Sequence, residues 1–252
     1  MRRKEKIMDE YQMLVEIAQQ AGAMLIARNR TGDVAAFSGE STTRADQASE
    51  AFIRERLARD FPTIPLWDKR NVTSTSQRLF IIDPIDGTGN YLMRDVFWGV
   101  SIALVDQGRT QIGVVELPGL RESFLTDASQ SYKSKISVTA TRKLRGAHVW
   151  LDPGWARVPS LAALMYERLL TTGAIVQMRR CCTAQMMWVA SGRIDGFVHT
   201  SPTPHDIAAA GLIVEHSGGK VTDLKGETWT PFSSSIVATN GRIHDELLNT
   251  LS

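Results

Sequence analysis

Residues 79–90 read Leu-Phe-Ile-Ile-Asp-Pro-Ile-Asp-Gly-Thr-Gly-Asn, an apolar run that ends in two carboxylates and a glycine-rich turn. An unbroken apolar run of this length feeding straight into polar residues reads as a buried strand. Strand ends are where α/β-type folds gather the polar groups of a site. Pro84 has no N–H and restricts the backbone of Asp83, which helps to fix the direction of that carboxylate. Gly87 and Gly89 let the chain turn tightly and expose backbone N–H groups, as an anion cradle requires. Carboxylates beside such a cradle repel one another unless a hard cation such as Mg2+ lies between them. The segment therefore points to metal-assisted chemistry on a phosphate. The same spacing also fits a simple Asx-turn with Asp83 capping a helix.

A second segment, Pro204-His205-Asp206-Ile207-Ala208-Ala209-Ala210, offers another acid at a helix start. Asp206 is a good N-cap for the helix that follows. It equally suits a third metal carboxylate, at a terminus whose dipole favours anions.

Around these two segments the apolar spacing predicts helices over 8–29, 45–60, 160–171, 183–191, 206–216 and 243–251. Strands are expected at 79–82, 96–105, 110–117, 123–127, 147–151, 174–178, 196–199 and 236–239, with a further candidate at Val221. Asp106-Gln107-Gly108-Arg109 is a hairpin signal, and Gly218-Gly219 closes the helix before it. Residues 31–40 and 71–78 read as polar loops. The chain divides softly near residue 145, into 1–145 carrying the first acidic segment and 146–252 carrying the second. It reads as two halves of one globule.

Composition removes several alternatives. The 252 residues carry 29 basic and 27 acidic side chains, a net charge of only +2, unlike the strong basic excess of a dedicated nucleic-acid binder. The two cysteines, Cys181 and Cys182, are adjacent, so they cannot staple distant segments. They read as buried packing residues. Asp9, Glu10 and Glu16 interrupt any signal-peptide core after the basic start, and the longest apolar run, 207–214, is too short for a membrane span. A cytoplasmic protein without nucleic-acid or membrane partners is expected. Trp150, Trp155, Trp188 and Trp229 read as core or interface, and Arg142-Lys143-Leu144-Arg145 as an exposed loop.

Taken together, Asp83-Pro84-Ile85-Asp86-Gly87-Thr88 with Asn90, and Asp206 followed by Ala208-Ala209, Glu215, Gly218 and Gly219, resemble the two signature motifs of the inositol monophosphatase family. Thr43-Arg44-Ala45-Asp46 is similar to the family's Thr-x-x-Asp segment. Phe97, Val100-Ser101-Ile102, Gly113-Val114-Val115 and Ala190-Ser191-Gly192 with Asp195 extend the likeness over about residues 14 to 250. The resemblance implies an α+β fold, layered as an α-β-α-β-α sandwich, and Mg2+-dependent hydrolysis of a small phosphate monoester (a polyol, sugar or nucleotide phosphate), with Mn2+ as a substitute. It further implies a homodimer.

Carried residue by residue, Asp83, Asp86, Asp206 and the main-chain carbonyl of Ile85 would ligate metal, with Asp83 also counted as catalytic. Gly87 and Thr88 would bind phosphate, and Thr88 with Asp46 would activate the attacking water. Asp86, His199, His205 and Arg180 would face the substrate. Two departures stand out. Where the family carries Gly-Glu-Glu, this chain reads Trp67-Asp68-Lys69-Arg70, so Lys69 and Arg70 fall where acids belong, and a one-residue slip would supply Asp68 as a metal ligand instead. The family's acidic inositol-binding position is His199, and its Trp before the second-motif Asp is His205. These departures favour, as an alternative, a diverged member with altered chemistry or a ligand-binding role.

Overall fold

The computed structural model describes residues 2–31, 43–68, 78–131, 133–154 and 159–252. Lys69, Arg70, Trp155 and most of the two polar loops expected from the sequence lie outside the described residues. The elements run α1 (Arg2–Thr31), α2 (Arg44–Asp60), β1 (Leu79–Asp86), α3 (Thr88–Leu92), β2 (Gly99–Asp106), β3 (Arg109–Leu117) and β4 (Glu122–Asp127) in the first part. They continue with β5 (His148–Asp152), α4 (Pro159–Thr171), β6 (Ile175–Gln177), α5 (Cys182–Ala190), β7 (Gly196–His199), α6 (Pro204–His216), β8 (Lys220–Thr222), β9 (Ile236–Thr239) and α7 (His244–Leu251).

Strands β1 to β4 form an antiparallel meander in chain order. The second sheet is mixed, with order β6-β5-β7-β9-β8. β5 pairs in parallel with β6 and β7, and β9 runs antiparallel to β7 and β8.

Side-chain alternation on these strands builds the layers. In β1 and β2, Phe80, Ile82, Ile102 and Leu104 pack with Leu14, Ile17, Ala21 and Leu25 of α1 and Ile53 and Leu57 of α2. Their neighbours Leu79, Ile81, Ala103 and Val105 face the other way, into a core shared with α5 and α6. That central core is closed from the far side by Trp150, Phe197, Ile236 and Ala238 of the second sheet. The opposite face of the second sheet, with Val149, Leu151, Val198 and Val237, packs on Met165 and Leu169 of α4 and Leu247 and Leu251 of α7. The order is α1/α2, first sheet, α5/α6, second sheet, α4/α7: an α+β, five-layer sandwich. Both sheets are covered on both faces, which is why the strands read as continuous apolar runs.

Helix α6 lies unusually close to the first sheet because Gly113 has no side chain. A Cβ there would sit 2.6 Å from the carbonyl oxygen of Ala209. This approach sets the depth at which the start of α6 reaches the end of β1. Among the described residues, no helix is long and apolar enough to cross a membrane.

Three local expectations change. The strand of the first acidic segment continues past Pro84 to Asp86, with an irregular register between Asp83 and Asp86, and a one-turn helix, α3, follows it. The strand expected from residue 96 starts at Gly99. Leu144 is fully buried in the outer core, so the basic run around it exposes Arg142, Lys143 and Arg145 but plugs the fold with its leucine.

Candidate active site

A cleft of about 570 Å³ opens where the C-terminal end of β1 meets the N-termini of α2, α5 and α6. Asp46, Asp83, Ile85, Asp86, Gly87, Thr88, Arg180, His199, His205 and Asp206 all line it. Asp83, Asp86 and Asp206 each offer an oxygen, and the three atoms lie within 4.8 Å of one another. Asp68 is half-buried and stands outside this trio, although its neighbour Trp67 lines the cleft.

Each carboxylate is held by its own local device. Asp83 accepts the Ile85 N–H at 3.1 Å, so the Asx-turn exists, yet it caps no helix: the N-cap of α3 is Gly87. Gly87 has φ +80°, and a Cβ there would meet the Cys181 Cβ at 2.9 Å, so only glycine fits both constraints. Thr88, as the first residue of α3, has an N–H with no partner inside the helix. Asn90 donates to the carbonyls of Phe97 (2.8 Å) and Arg179 (2.7 Å), tying this turn to the chain that enters α5.

Asp46 and Asp206 share one construction. Each is the third residue of its helix in a capping box. The Thr43 N–H and hydroxyl reach Asp46 Oδ2 at 2.8 and 2.5 Å, and those of Thr203 reach Asp206 Oδ2 at 2.5 and 2.8 Å. Asp206 is therefore not the N-cap, one of the two roles its place in the sequence allows. Thr203 takes that role, and Pro204 at the first helical position moves the acid one turn inward. The arrangement leaves the second oxygen of each acid for the cleft. On Asp46 that oxygen receives the Thr88 hydroxyl at 3.2 Å, and the same hydroxyl lies 3.0 Å from the Ile85 carbonyl. One proton serves one acceptor at a time, so the two compete.

Asp86 has partners that the sequence reading did not assign. Thr183 donates its N–H (2.5 Å) and hydroxyl (2.6 Å) to Oδ2, and the Cys182 N–H reaches Oδ1 at 3.3 Å. These are the first N–H groups of α5, so a helix N-terminus is aimed at the carboxylate. The Cys181 thiol, 3.3 Å from Asp86 Oδ2, adds a weak donor. Both cysteines are buried, as expected, and form no disulfide; burial followed by the nearby carboxylates pushes both thiols well up, which disfavours the thiolate form. The available signal was the polar Thr183 directly after two apolar residues at a helix start.

The electrostatics are those of a crowded acid cluster. Burial, then the charges of Asp86, Asp206 and Asp46, hold Asp83 well above the ordinary carboxylate range. Burial raises Asp86 against the pull of Thr183. Burial and Asp86 push Asp206 up to about 6. An all-oxygen donor set whose charges oppose one another fits a hard divalent cation, which would remove the repulsion.

At the other end, Arg180 sits in the left-handed region at φ +53°, a conformation that costs a non-glycine residue about 1 kcal/mol. Its guanidinium donates to the Gly154 carbonyl at 2.8 Å and lies 3.7 Å from Asp152. Burial lowers His199, partly offset by Asp152 and Asp206. His205 packs edge-on against Trp67, ring centroids 4.7 Å apart.

Residues 8–252 match the inositol monophosphatase family. The chain belongs to that family. It is 26% identical over 257 residues to a Thermotoga maritima fructose-1,6-bisphosphatase/inositol-1-monophosphatase, covering 97% of this chain and 96% of the relative. It is 31% identical over 224 residues to a Mycobacterium tuberculosis histidinol-phosphatase, covering 83% and 84%. The solved inositol monophosphatase from Anabaena (Nostoc) sp. PCC 7120 superposes with TM-score 0.85 at 28% identity, covering 98% of this chain and 96% of that one.

Proposed function

We propose that this protein hydrolyses a small phosphate monoester, with Asp83, Asp86 and Asp206 holding a divalent cation of the Mg2+ type. The convergence of those three carboxylates within 4.8 Å, with burial and mutual repulsion opposing their charges, carries the reading. A bound cation would offset charge on the phosphoryl oxygens, stabilise the departing alkoxide and acidify a water.

The chain supplies the rest. The N–H groups of Gly87 and Thr88 hold phosphoryl oxygens at the start of α3. Asp46, locked by Thr43, takes the Thr88 hydroxyl proton, which turns the Thr88 oxygen into an acceptor for the attacking water. The water's proton passes to Thr88 as the Thr88 proton passes to Asp46. With the Thr88 hydroxyl turned to Asp46, the Ile85 carbonyl would be left as a further oxygen donor for the cation.

The relatives support this reading, since both curated proteins above carry phosphatase names. The purified protein should release phosphate from a panel of small phosphate esters only with Mg2+ or Mn2+. Asp83→Asn should lower the rate ~10³-fold or more. No release across a broad panel would remove the proposal.

The Lys69-Arg70 pair favours a second reading, a ligand-binding protein with a weakened metal site. If Lys69 opposes a second cation, Lys69→Glu should raise Mg2+ affinity or turnover, and titration of both proteins decides it. Unchanged values would show that Lys69 lies away from the cation. We further propose a homodimer through the apolar face of α4 and β6, where Leu164, Leu170, Ile175 and Met178 are exposed. Free thiols fit a reducing, cytoplasmic setting.

A further inference from the structure

Arg180 lines the cleft with a left-handed backbone, and a non-glycine residue keeps such a backbone only where its surroundings enforce it. The groups that enforce it lie outside the cleft. On its C-terminal side α5 fixes the chain: the Cys181 carbonyl accepts the Gln185 N–H and the Gln185 side-chain amide, both at 3.1 Å. On its N-terminal side Arg179 is held in three ways. Its carbonyl accepts an N–H of the Asn90 amide at 2.7 Å, and its guanidinium donates to Asp95 Oδ2 at 3.1 Å. The same guanidinium stands over the ring of Phe97, 4.8 Å from the centroid.

The partners of Arg179 also hold one another. The Asp95 N–H donates to the Asn90 carbonyl at 2.9 Å, and Asp95 Oδ1 accepts the Phe97 N–H at 3.2 Å. Asn90 gives its other amide proton to the Phe97 carbonyl at 2.8 Å. Between Asn90 and Asp95, just past the C-cap of α3, Arg94 takes φ +60° in a place where glycine is usual. Asn90, Asp95, Phe97 and Arg179 thus close on one another, with a strained arginine on either side. The Arg179–Asp95 pair is too open to add much stability, its side chains being 39% and 36% exposed. What it fixes is direction, because a flat guanidinium set between a carboxylate and a ring face has one orientation.

We infer that Asp95 and Arg179 are positioning residues for hydrolysis: from outside the cleft they hold Arg180 in the left-handed turn that sets its guanidinium in the cleft wall. Released from the clamp, Arg180 relaxes to an ordinary backbone, and its Cα–Cβ bond is re-aimed. Its guanidinium then leaves the Gly154 carbonyl, and Asp152 loses the charge 3.7 Å away. The wall that the ester leans on changes shape, which weakens binding while the acids and the Thr88 hydroxyl stay in place. This role rests on the hydrolase reading above.

The test is steady-state kinetics with Mg2+ on p-nitrophenyl phosphate and on the best ester of the phosphate panel. Arg179→Gln and Asp95→Asn should each raise KM roughly 3- to 10-fold and leave kcat within ~2-fold, the signature of lost binding with intact chemistry. Arg179→Lys keeps the charge without the flat face on Phe97, so its KM should fall between those of Arg179→Gln and the unaltered protein. Combining Asp95→Asn with Arg179→Gln should do no more than the worse single change, since both release one clamp. The route through Arg180 is read in the Arg180→Gln background, with Arg180→Met in reserve if that variant is unstable. There Arg179→Gln should move KM no further, whereas a merely structural role would add its effect in both backgrounds. Additive effects, an unmoved KM, or a fall in kcat and Tm alone would overturn the positioning role and leave the phosphatase reading intact. A rise in KM seen only where gel filtration shows a change in oligomeric state would overturn it too. Hydrolysis of no ester by the unaltered protein, p-nitrophenyl phosphate included, would remove the parent reading and this role with it.

Discussion

The two ends of the cleft are built differently. At one end Asp46, Asp83, Asp86 and Asp206 crowd their charges together, each steadied by donors behind it. At the other, Arg180, His199 and Asp152 line the cleft together, the guanidinium 3.7 Å from the carboxylate. The acid end needs a cation to be tolerable, while the Arg180 end balances its charges within the chain. The difference separates chemistry from selection. Changes at the acid end should lower the rate for every ester alike. Changes at the Arg180 end should alter which ester is chosen.

The sharpest way to break that division is Thr88→Val, which keeps the shape and removes the hydroxyl between Asp46 and the attacking water. Loss of a positioned proton carrier should lower kcat by ~10²-fold or more. The loss should be equal for esters with acidic and with neutral leaving groups. A Thr88→Val enzyme that kept its rate would remove Thr88 and Asp46 from water activation. An effect confined to one class of ester would erase the boundary between the ends.

A smaller effect is expected one layer back. Thr183 gives Asp86 two of its hydrogen bonds, and Thr183→Val removes the hydroxyl's bond while keeping the N–H. Groups that orient a metal ligand are worth ~10–100-fold in metal affinity. Mg2+ titration of the variant should show a rise in Kd of that order, with kcat largely recovered at saturating cation. An unchanged Kd would mean that the start of α5 holds Asp86 through its backbone alone.

How far these features were legible depends on the distance over which they are encoded. The strand-to-turn segment at 79–90 carries its acids, its proline and its glycines side by side, so Asp83 and Asp86 could be picked out from spacing. The strands were legible for a related reason, since strands covered on both faces are continuous apolar runs; their stacking into five layers followed only from the family resemblance. The anchoring of Asp86 was not, because Thr183 is 97 positions away and meets it only once α5 packs between the sheets. Asp206 was assigned to the right terminus but the wrong position, because Thr203 and Asp206 compete for the same cap and Pro204 decides between them. His199 illustrates the limit most clearly. Its residue type was plain, but whether it donates or accepts depends on the Ser201 backbone, which only the bend after β7 supplies.

The smallest expected effect concerns stability, and its sign is unusual. A carboxylate paired in the folded state normally has a depressed pKa, so stability falls as the solution is acidified. Asp206 is raised to about 6 from an ordinary 3.8, and Asp83 is raised as well. Between those values the native protein holds the Asp206 proton while the unfolded chain has lost it. Stability of the cation-free protein therefore falls as pH rises from about 4 towards 6. The deficit from Asp206 persists at neutral pH, above its raised value, where its charge stands buried among the other acids. A divalent cation binds the ionised form and reverses the loss, so the rise in Tm on adding Mg2+ should be near zero at pH 4 and grow towards pH 7. Thermal unfolding with and without Mg2+ across that range measures it directly. In Asp206→Asn both the pH-dependent loss and most of the Mg2+ gain should shrink, because the variant has one fewer charge to neutralise and one fewer ligand to offer. A Mg2+ effect of the same size at pH 4 and pH 7 would place the bound cation elsewhere on the protein. The acid end of the cleft would then owe its tolerance to protons, and its contrast with the Arg180 end would be one of protonation, with no cation involved.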